Sequence, residues 1–469
     1  MTTLIPKYDQ GSASAVNRPF NKKLQESVSI LDFGGDPTGS SDSSSAFNAA
    51  VAASSHIYFP AGTYKFSSTL TINNINGLVL EGAAAALISA GTTYSTNTVF
   101  SFDSAASGSN GLVISNFVGV VVKNIVITQN HSGAGGGSAL VISGGHDFTL
   151  ENIKVSSQTG STGKGIVLGG GTGATSTFTG RINNCKVIMA SGGSGIQSND
   201  TNTSLTFDSC YVIGGHYDFS GTVYSTVINC ACDTSDLYGY GIVGCAGMTF
   251  TSCGAEQCQQ TMFYLSQGTN NITFTSPLGL ANNQSGNTSQ GDLFTFDSSG
   301  GAIQGITITN PSAVNSVSAT VANIYGTASS GVVDVYGVIS SKLPKGFGGN
   351  TTWLQNKLTY TGDTENISFS PTLDSNWTLV GTPTITAYYN KKGKQIYVSI
   401  VITPATSIKA NAGAKINLPW SEISPSGAWV IDESNTPYGT AAIFNSEIYL
   451  QTTGTLTVPL TVSGTFLIP

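Results

Sequence analysis

Three acidic residues lie close together in a chain that carries little charge. Asp233, Asp236 and Glu256 fall within 24 positions, whereas charged residues make up only 9% of the 469 residues. Hydrolysis of a glycosidic bond uses two carboxyl groups, one that protonates the leaving oxygen and one that activates water or attacks the sugar. Two carboxyl groups about 5 Å apart favour a state in which one keeps its proton. We therefore predict that these acids are catalytic, with Glu256 as general acid and Asp233 or Asp236 as base or nucleophile.

A short pattern recurs along the chain and defines which residues are equivalent. Alternating apolar residues are followed by Asn or Ser and then by a small or apolar residue, as in FTLENIKV, LTFDSCYV and TFTSCGA. Such runs predict a strand followed by a turn, and no helical pattern separates them. A Greek-key sandwich would not repeat residues at equivalent positions, so stacked coils of an all-β, right-handed parallel β-helix are predicted. We call the recurring Asn or Ser the anchor; the anchors are Asn124, Asn152, Asn184, Ser209, Asn229, Ser252, Ser276 and Asn310.

Counting from the anchor assigns side chains to the two faces of the coil wall. Strict alternation puts the first position after the anchor inside and the fourth position outside. Asp233 and Glu256 both occupy the fourth position, which predicts that they lie side by side on neighbouring coils, about 4.8 Å apart. Asp236 follows in the next loop. The first position is cysteine in four successive coils, which predicts an interior column of thiols: Cys185, Cys210, Cys230 and Cys253.

The separation of the carboxyl groups predicts the stereochemistry of hydrolysis. About 5 Å favours retention, and roughly 6.5–9.5 Å favours inversion. Ideal stacking of Asp233 and Glu256 predicts the first outcome, whereas splayed side chains favour the second. We favour inversion, with Asp236 acting if Asp233 lies too close to Glu256.

The cysteines admit two other interpretations, a zinc site or a set of disulfides. Tight C-x2-C pairs are absent and only His216 lies nearby, which disfavours zinc. Seven is an odd number of cysteines, which disfavours a full set of disulfides. We expect no metal and no cofactor.

Tyrosines cluster on the same coils as the acids. A tyrosine ring offers a flat apolar surface with a polar tip, which suits contact with a sugar. His216 is a candidate base or substrate contact, although a single histidine can equally be an ordinary loop residue. We predict that substrate is contacted by Tyr211, Tyr217, Tyr238 and Tyr240, and Tyr224 belongs to the same cluster.

Composition excludes two classes of partner. The net charge is −7 and the chain has two arginines, Arg18 and Arg181, so a nucleic-acid partner is not expected. No run of about 18 apolar residues is present, so no membrane span is expected. The start, MTTLIPKYDQ, lacks the apolar core of a signal peptide, so export by a cleaved leader is not expected.

The region after residue 26 resembles the start of a known protein family. VSILDFGGDPTGSSDSSSAFNAAVAAS contains an acidic-Phe-Gly turn, an acidic Ser/Thr loop and a helix predicted from about Ser43 to Ser54, which would cap the coil. HIYFPAGTYKF then predicts strand, turn and strand. This order is similar to that of pectate-lyase-like bacteriophage tailspikes, closely so over about 50 residues. The usual Gly-Asp-Gly and Asp-Asp appear as Gly35-Asp36-Pro37 and Ser41-Asp42-Ser43.

The resemblance implies a homotrimeric virion protein of a phage tail that binds, and often cleaves, a polysaccharide of the host surface. Residues 1–26 are predicted as an arm that docks onto another tail protein, and 27–345 as the β-helix. Residues 346–469, which contain all four tryptophans, are predicted as a β-sandwich for trimerisation or carbohydrate binding. Within it, NKKGK predicts a hairpin between two alternating strands.

Two alternatives to a hydrolase of capsule or O-antigen stay open. A polysaccharide lyase needs a cation for the sugar carboxylate and a Lys, His or Tyr base. No Lys or Arg occurs between Asn199 and Asp334, which favours a neutral or weakly charged substrate unless the site lies on earlier coils. Those coils carry Lys154, Lys164, Arg181 and Lys186. A receptor-binding spike without enzymatic activity is the other alternative.

Overall fold

The chain forms two compact units, Met1–Gly337 with Lys342–Lys357 and Val338–Ser341 with Leu358–Pro469. The computed structural model describes residues 7–8, 18–19, 23, 26–86, 94–103, 105–106, 108–129, 137–157, 163–170, 176–189, 192–287, 290–314, 324–327, 333–339, 347–349, 358–360, 367–369, 371–392, 395–411, 415–417, 424–425, 429–433, 436–444, 447–450, 454–456 and 460–467. The short strands Lys7–Tyr8 and Arg18–Pro19 pair antiparallel. The rest of the predicted arm lies outside the described residues.

The first unit is a parallel β-helix, as predicted, in which each coil adds one strand to each of three parallel sheets. Sheet 1 precedes the anchor. Its strands are Val28–Ser29, His56–Phe59, Val79–Gly82, the second half of Leu112–Lys123, His146–Glu151, Phe178–Asn183, Thr203–Asp208, Thr226–Ile228, Thr249–Thr251, Thr273–Thr275, Ile303–Thr309 and Val333–Ile339.

Sheet 2 follows the anchor and carries the candidate acids. Its strands are Thr38–Asp42, Gly62–Lys65, Thr98–Ser101, Val126–Thr128, Lys154–Ser156, Lys186–Ile188, Tyr211–Ile213, Ala231–Asp233, Gly254–Glu256, Leu278–Leu280 and Ser312–Val314.

Sheet 3 closes each coil before the chain returns to sheet 1. Its strands are Leu70–Asn76, the first half of Leu112–Lys123, Ser138–Ser143, Lys164–Leu168, Ser194–Ser198, His216–Ser220, Tyr240–Val243, Phe263–Ser266, Phe294–Asp297, Ile324–Thr327 and Phe347–Gly349.

The eight anchors form the corner between sheets 1 and 2. All of them have a left-handed backbone, with φ between 49° and 58°. Asn tolerates this region better than most residues, because its short polar side chain can hydrogen-bond locally, and Ser is also small. The anchors stack in a column, and some of their Asn side chains hydrogen-bond from coil to coil. For example, Asn152 Nδ2 donates to Asn124 Oδ1 over 2.9 Å. The recurring Asn or Ser is therefore explained by the turn that each coil needs.

The predicted register is confirmed along sheet 2. The residues four positions after the anchor pair directly from coil to coil, from Thr128 to Val314. The residues one position after the anchor are buried in all eight coils. The outer column itself is buried in its first three coils, half-buried from Ile213 to Leu280 and exposed at Val314.

The predicted cap is also present. Helix α1, Ser44–Ala53, begins after the N-cap Ser43, and the amide of Ser44 donates to Asp42 Oδ1 over 2.9 Å. Phe47 of α1 is fully buried among Phe59, Phe66 and Phe100. The helix therefore covers the apolar end of the first coils. Two 3-10 turns are also described, Ile30–Phe33 and Ser298–Gly300.

The second unit consists of antiparallel strands in sheets of ten and three. The NKKGK hairpin is confirmed, because Lys392 pairs with Gln395 and the two strands stay paired along nine residues. That these sheets form a sandwich stays a prediction. The strands of these two sheets are Ile367–Phe369, Thr372–Leu373, Trp377–Val380, Thr384–Lys392, Gln395–Thr403, Ser407–Ala410, Lys415–Asn417, Ser424–Pro425, Trp429–Glu433, Thr436–Phe444, Glu447–Leu450, Gly454–Leu456 and Leu460–Leu467. Leu358–Tyr360 is a further strand of this unit.

Candidate functional site

Asp233 and Glu256 are neighbours across two coils of sheet 2. They pair directly in the parallel register and both are half-buried. Their strands alternate out, in and out, with Cys232 and Ala255 buried between the outward residues. Parallel strands lie about 4.8 Å apart, so the two carboxyl groups leave the coil wall at that spacing. The sequence repeat thus places the two acids together on one surface.

Tyr211 holds one of the two acids. It lies on the preceding coil of sheet 2, and its hydroxyl donates a hydrogen bond to Asp233 Oδ2 over 3.0 Å. Burial, together with this bond and the charge of Asp233, raises the pKa of Tyr211 to about 12. The phenol therefore stays protonated at neutral pH and acts as a hydrogen-bond donor to Asp233.

A shallow trough runs along the coil axis beside the two acids. Its floor is formed by Ala231 and Gly254, which occupy one outward column of sheet 2. Tyr211 precedes them in this column and Leu278, 48% exposed, follows them. A Cβ atom on Gly254 would meet only Leu278 O within 4 Å, at 3.6 Å, so the space above the floor is open. The trough therefore has room for a Cβ atom at Gly254, and it lies beside the column that carries both carboxyl groups.

Lys186 brings a cation to this surface. It pairs with Tyr211 in register, and its Nζ lies 5.6 Å from the centre of the Tyr211 ring. The stretch from Asn199 to Asp334 contains no Lys or Arg, yet a lysine from an earlier part of the sequence lies near this surface. Stacking brings a lysine from two coils earlier close to the coil that carries Asp233.

Asp236 lies on the loop that follows Asp233, as expected, and its catalytic role stays a prediction. It is exposed on the loop after Asp233, and its Oδ2 would lie 2.7 Å from a Cβ on Gly192. Its charge acts on His216, which begins a strand of sheet 3. Asp236 therefore belongs to the corner between sheets 2 and 3.

His216 is the centre of a polar cluster at this corner. The residue is only 4% exposed, with Nε2 3.4 Å from Ser194 Oγ, and the ring lies 5.0 Å from that of Tyr238. Ser194 Oγ and Gln197 Nε2 lie 3.3 and 2.8 Å from Asp218 Oδ2. Among the described residues, none hydrogen-bonds His216 Nδ1. The position of His216 under two loops makes it a poor substrate contact in this conformation.

The pKa of His216 predicts a stability that falls in mild acid. Burial lowers this pKa, against the opposing charges of Asp218 and Asp236. The native state thus favours the neutral ring, whereas an unfolded histidine has a pKa of about 6.5. This contribution is complete above that pH and is lost as the pH falls toward the native pKa. We expect thermal unfolding midpoints to drop more between pH of about 7.5 and 5.5 for the wild type than for His216→Gln; equal drops would contradict this.

Tyr238 lies on the outer face of sheet 3. Its ring covers Gly241, where a Cβ would lie 2.5 Å from Tyr238 Cε2, and it stacks on Tyr264 at 5.5 Å. Burial raises the pKa of both phenols. The sequence-based prediction missed Asp218, Gln197 and Tyr264, because the repeat was aligned only around the anchor. Gln197, Asp218, Gly241 and Tyr264 pair in register from coil to coil in sheet 3. An alignment of the sheet 3 segments would therefore place Asp218, Gln197 and Tyr264 on one face.

Tyr217 and Tyr240 lie inside the coil rather than on its surface. Both are fully buried, and their rings stack at 4.7 Å in a column that continues through Phe263. A polysaccharide outside the coil cannot reach them, because alternation in sheet 3 turns these positions inward. Tyr217 donates to Ala231 O over 3.2 Å, and the Tyr240 hydroxyl lies 3.0 Å from Gly254 O. The two rings therefore support the floor of the trough from within.

The cysteine column is interior, as predicted. All seven cysteines are buried and none forms a disulfide. Each thiol of the column lies near a carbonyl of the preceding coil, such as Cys253 Sγ, 3.4 Å from Val227 O. In the described part of the chain no group of His, Cys, Asp and Glu is arranged to hold a metal ion. We expect a thiol reductant to leave the thermal unfolding midpoint unchanged, whereas a drop would reveal a structural disulfide.

The sequence of residues 27–231 matches the family described as Rhamnogalacturonase A/epimerase, pectate lyase-like. The match covers less than half of the chain, and it ends two residues before Asp233. The coils continue beyond the matched residues without a change of register. No curated protein matches the chain significantly. Within the described residues, no helix is long and apolar enough to cross a membrane.

Several solved structures are similar to this chain at low sequence identity. ORF18 of Geobacillus virus E2 is 12% identical, over 93% of this chain and 77% of that chain, with a TM-score of 0.46. The Dettilon tailspike protein is 12% identical, over 96% and 95%, with a TM-score of 0.41. DFA-IIIase of Arthrobacter chlorophenolicus, without its lid, is 11% identical, over 73% and 100%, with a TM-score of 0.49.

Proposed function

We propose that this chain is an endo-acting glycoside hydrolase of a phage tail, which cuts a polysaccharide of the host bacterial surface, either capsule or O-antigen. The observation that carries the proposal is the direct pairing of Asp233 and Glu256 on neighbouring coils, beside an open trough. The family matched by residues 27–231 is named for a rhamnogalacturonase and an epimerase, which supports a carbohydrate substrate. The similarity of the opening sequence to tailspikes supports the phage context.

The surroundings of the two acids support different roles. Asp233 accepts the Tyr211 hydroxyl, which stabilises a negative charge, so Asp233 is the nucleophile or base. Among the described residues, the Glu256 carboxyl group has one side-chain contact, a long one of 3.5 Å from Gln257 Nε2 to its Oε1, and we assign Glu256 the role of proton donor. In the reaction, Glu256 gives its proton to the glycosidic oxygen as the bond from that oxygen to the anomeric carbon breaks. The anomeric carbon bonds either to water, which gives a proton to Asp233, or to Asp233 itself. In the second case water then gives a proton to Glu256 and displaces Asp233 from the anomeric carbon, which releases the product.

The stereochemistry follows from which of these two bonds forms. The coil spacing of about 4.8 Å suits direct attack by Asp233 and therefore retention. Asp236 is turned toward Gly192 and His216, which leaves less support for the inverting role predicted for it. The anomer that appears first in the products, read by NMR, distinguishes retention from inversion.

A lyase is the alternative that one observation favours. Lys186, near the Tyr211 ring, could neutralise a sugar carboxylate. However, the pKa of Tyr211 is raised to about 12, which makes this phenol a weak candidate for the base. A lyase would release unsaturated sugars that absorb ultraviolet light, and a hydrolase would not.

The remaining parts of the proposal concern assembly. We place the protein in the virion as a homotrimer, with residues 1–26 docking onto another tail or baseplate protein and 346–469 in trimerisation or carbohydrate binding. Nucleic acid, membrane, metal and cofactors have no part in it. Sizing of the purified protein in mild detergent tests the trimer, and a monomer would contradict it.

The experiment that tests the function is release of oligosaccharides from a panel of purified capsules and O-antigens. Hydrolysis of at least one polysaccharide is the expected result. Binding of a polysaccharide without release would instead identify a receptor-binding spike without enzymatic activity.

A further inference from the structure

One residue at the corner between sheets 3 and 1 departs from the pattern of its column. In nine successive coils this residue has a left-handed backbone, with φ between 47° and 70°. Pairing of the adjoining residues places all nine at equivalent positions. Eight of them are residues that suit turns: Gly77, Gly119, Asp147, Thr179, Ser204, Gly247, Asn271 and Gly305. The ninth is Tyr224, with φ of 47°.

The side chain of Tyr224 gains little burial or hydrogen bonding to offset this unfavourable backbone conformation. A left-handed conformation is unfavourable for a bulky side chain, because its Cβ crowds the carbonyl oxygen that follows. The residue is 74% exposed, which is the highest value among the exposed large hydrophobic residues of the described part of the chain. Within the same residues we find no hydrogen bond to its hydroxyl. A bulky residue at a left-handed position that gains little packing there indicates a function outside the fold.

The ring of Tyr224 nevertheless packs at a defined position. Gly247 occupies the same corner on the next coil, and a Cβ there would lie 3.0 Å from Cδ1 and 3.4 Å from Cε1 of Tyr224. The ring therefore lies against the backbone of the next coil, at the one position of this corner where a side chain would displace it.

The exposed groups of this column nearest to Tyr224, on the coils before and after it, are polar and uncharged. Ser204 and Asn271 are exposed in the same column, and Gln304 is exposed beside the following member. Hydroxyl and amide groups around one flat aromatic ring suit a sugar, which packs a CH face on the ring and hydrogen-bonds through its hydroxyls. A stable protein interface buries about 800 Å² per partner around an apolar core, which a single tyrosine among amides does not supply.

We propose that Tyr224 is the platform of a second carbohydrate-contact site, which takes an uncharged sugar residue. It lies at a different corner of the coil from Asp233 and Glu256. The inference rests on the proposed polysaccharide partner, and it does not depend on hydrolysis.

The test compares Tyr224→Asn with Tyr224→Phe. Both are made in protein that also carries Asp233→Asn and Glu256→Gln, so that binding is measured without cleavage. The probe is the polysaccharide that the parent protein retains most strongly from the panel of capsules and O-antigens, assayed by affinity electrophoresis. We expect Tyr224→Asn to weaken binding about tenfold and Tyr224→Phe to change it little. The unfolding midpoint of Tyr224→Asn should rise, because Asn tolerates the left-handed backbone.

Higher stability together with weaker binding is a result that a merely structural tyrosine would not give. Unchanged binding by Tyr224→Asn overturns the inference, as does a parent protein that retains no polysaccharide of the panel. A smaller oligomer on sizing of Tyr224→Asn would identify a contact between copies of the chain and also overturn it. If the wild type releases no oligosaccharide, the proposed hydrolysis fails while this comparison of binding still stands.

Discussion

Glu256→Gln and Asp233→Asn are each expected to reduce the release of oligosaccharides by about 10²–10⁴-fold while polysaccharide binding is kept. The first change removes the proton donor for the leaving oxygen, and the second removes the charge that attacks or activates water. Because the two acids act on one bond, the double variant should lose little more activity than either single variant. Release is measured as reducing ends from the polysaccharide that the wild type cuts, and binding by affinity electrophoresis.

Asp208→Asn is the matched control for loss of an acid. Asp208 lies on sheet 1, and the equivalent residue of the preceding coil is Asn183, so asparagine fits the position. We expect this variant to cut as the wild type does. Full activity in Glu256→Gln or Asp233→Asn would show that the chemistry lies elsewhere, with Asp218 and Asp236 as the next acids to change.

Gly254→Trp is expected to abolish binding along the trough, with at least a tenfold loss of affinity. The backbone of Gly254 is outside the left-handed region, and a Cβ meets only Leu278 O, at 3.6 Å, so a side chain fits without strain. Its ring must then project outward over the floor, between Tyr211 and Leu278, where the polysaccharide is proposed to lie. Binding and the thermal unfolding midpoint are measured on the same preparation.

Gly254→Ala is the control, because its methyl group occupies the same open space without filling the trough. It should bind as the wild type does, and both variants should keep the wild-type unfolding midpoint to within a few degrees. Wild-type affinity in Gly254→Trp would exclude the trough as the binding surface. A large fall in the midpoint for both variants would instead mean that the position is not open.

Most of the fold could be predicted because the coil repeats its own sequence. One anchor residue per coil must take a left-handed backbone, and Asn or Ser at eight corners made that requirement visible. Once the anchors are aligned, the period-2 alternation of a strand assigns each neighbour to the inside or the outside. Cys230 and Cys253 therefore predicted the inner face, and Asp233 and Glu256 the outer one.

The surroundings of other residues could not be predicted from the repeat, because they depend on where loops and distant coils meet. Tyr217 and Tyr240 are interior because sheet 3 turns them inward. The repeat around the anchors covers sheets 1 and 2, so it does not specify which way residues of sheet 3 point. Asp236 is only three residues from Asp233, yet the loop after sheet 2 turns it toward Gly192. Lys186 is 47 residues from Asp233 in sequence, yet only two coils away.

The sequence by itself determined the parallel β-helix, its cap and the pairing of Asp233 with Glu256, because these follow from local backbone requirements repeated in every coil. Only the tertiary structure decided that Tyr211 bonds Asp233, that Gly254 leaves a trough open and that His216 is buried. Those features depend on side chains from different coils and sheets, whose meeting no single repeat specifies.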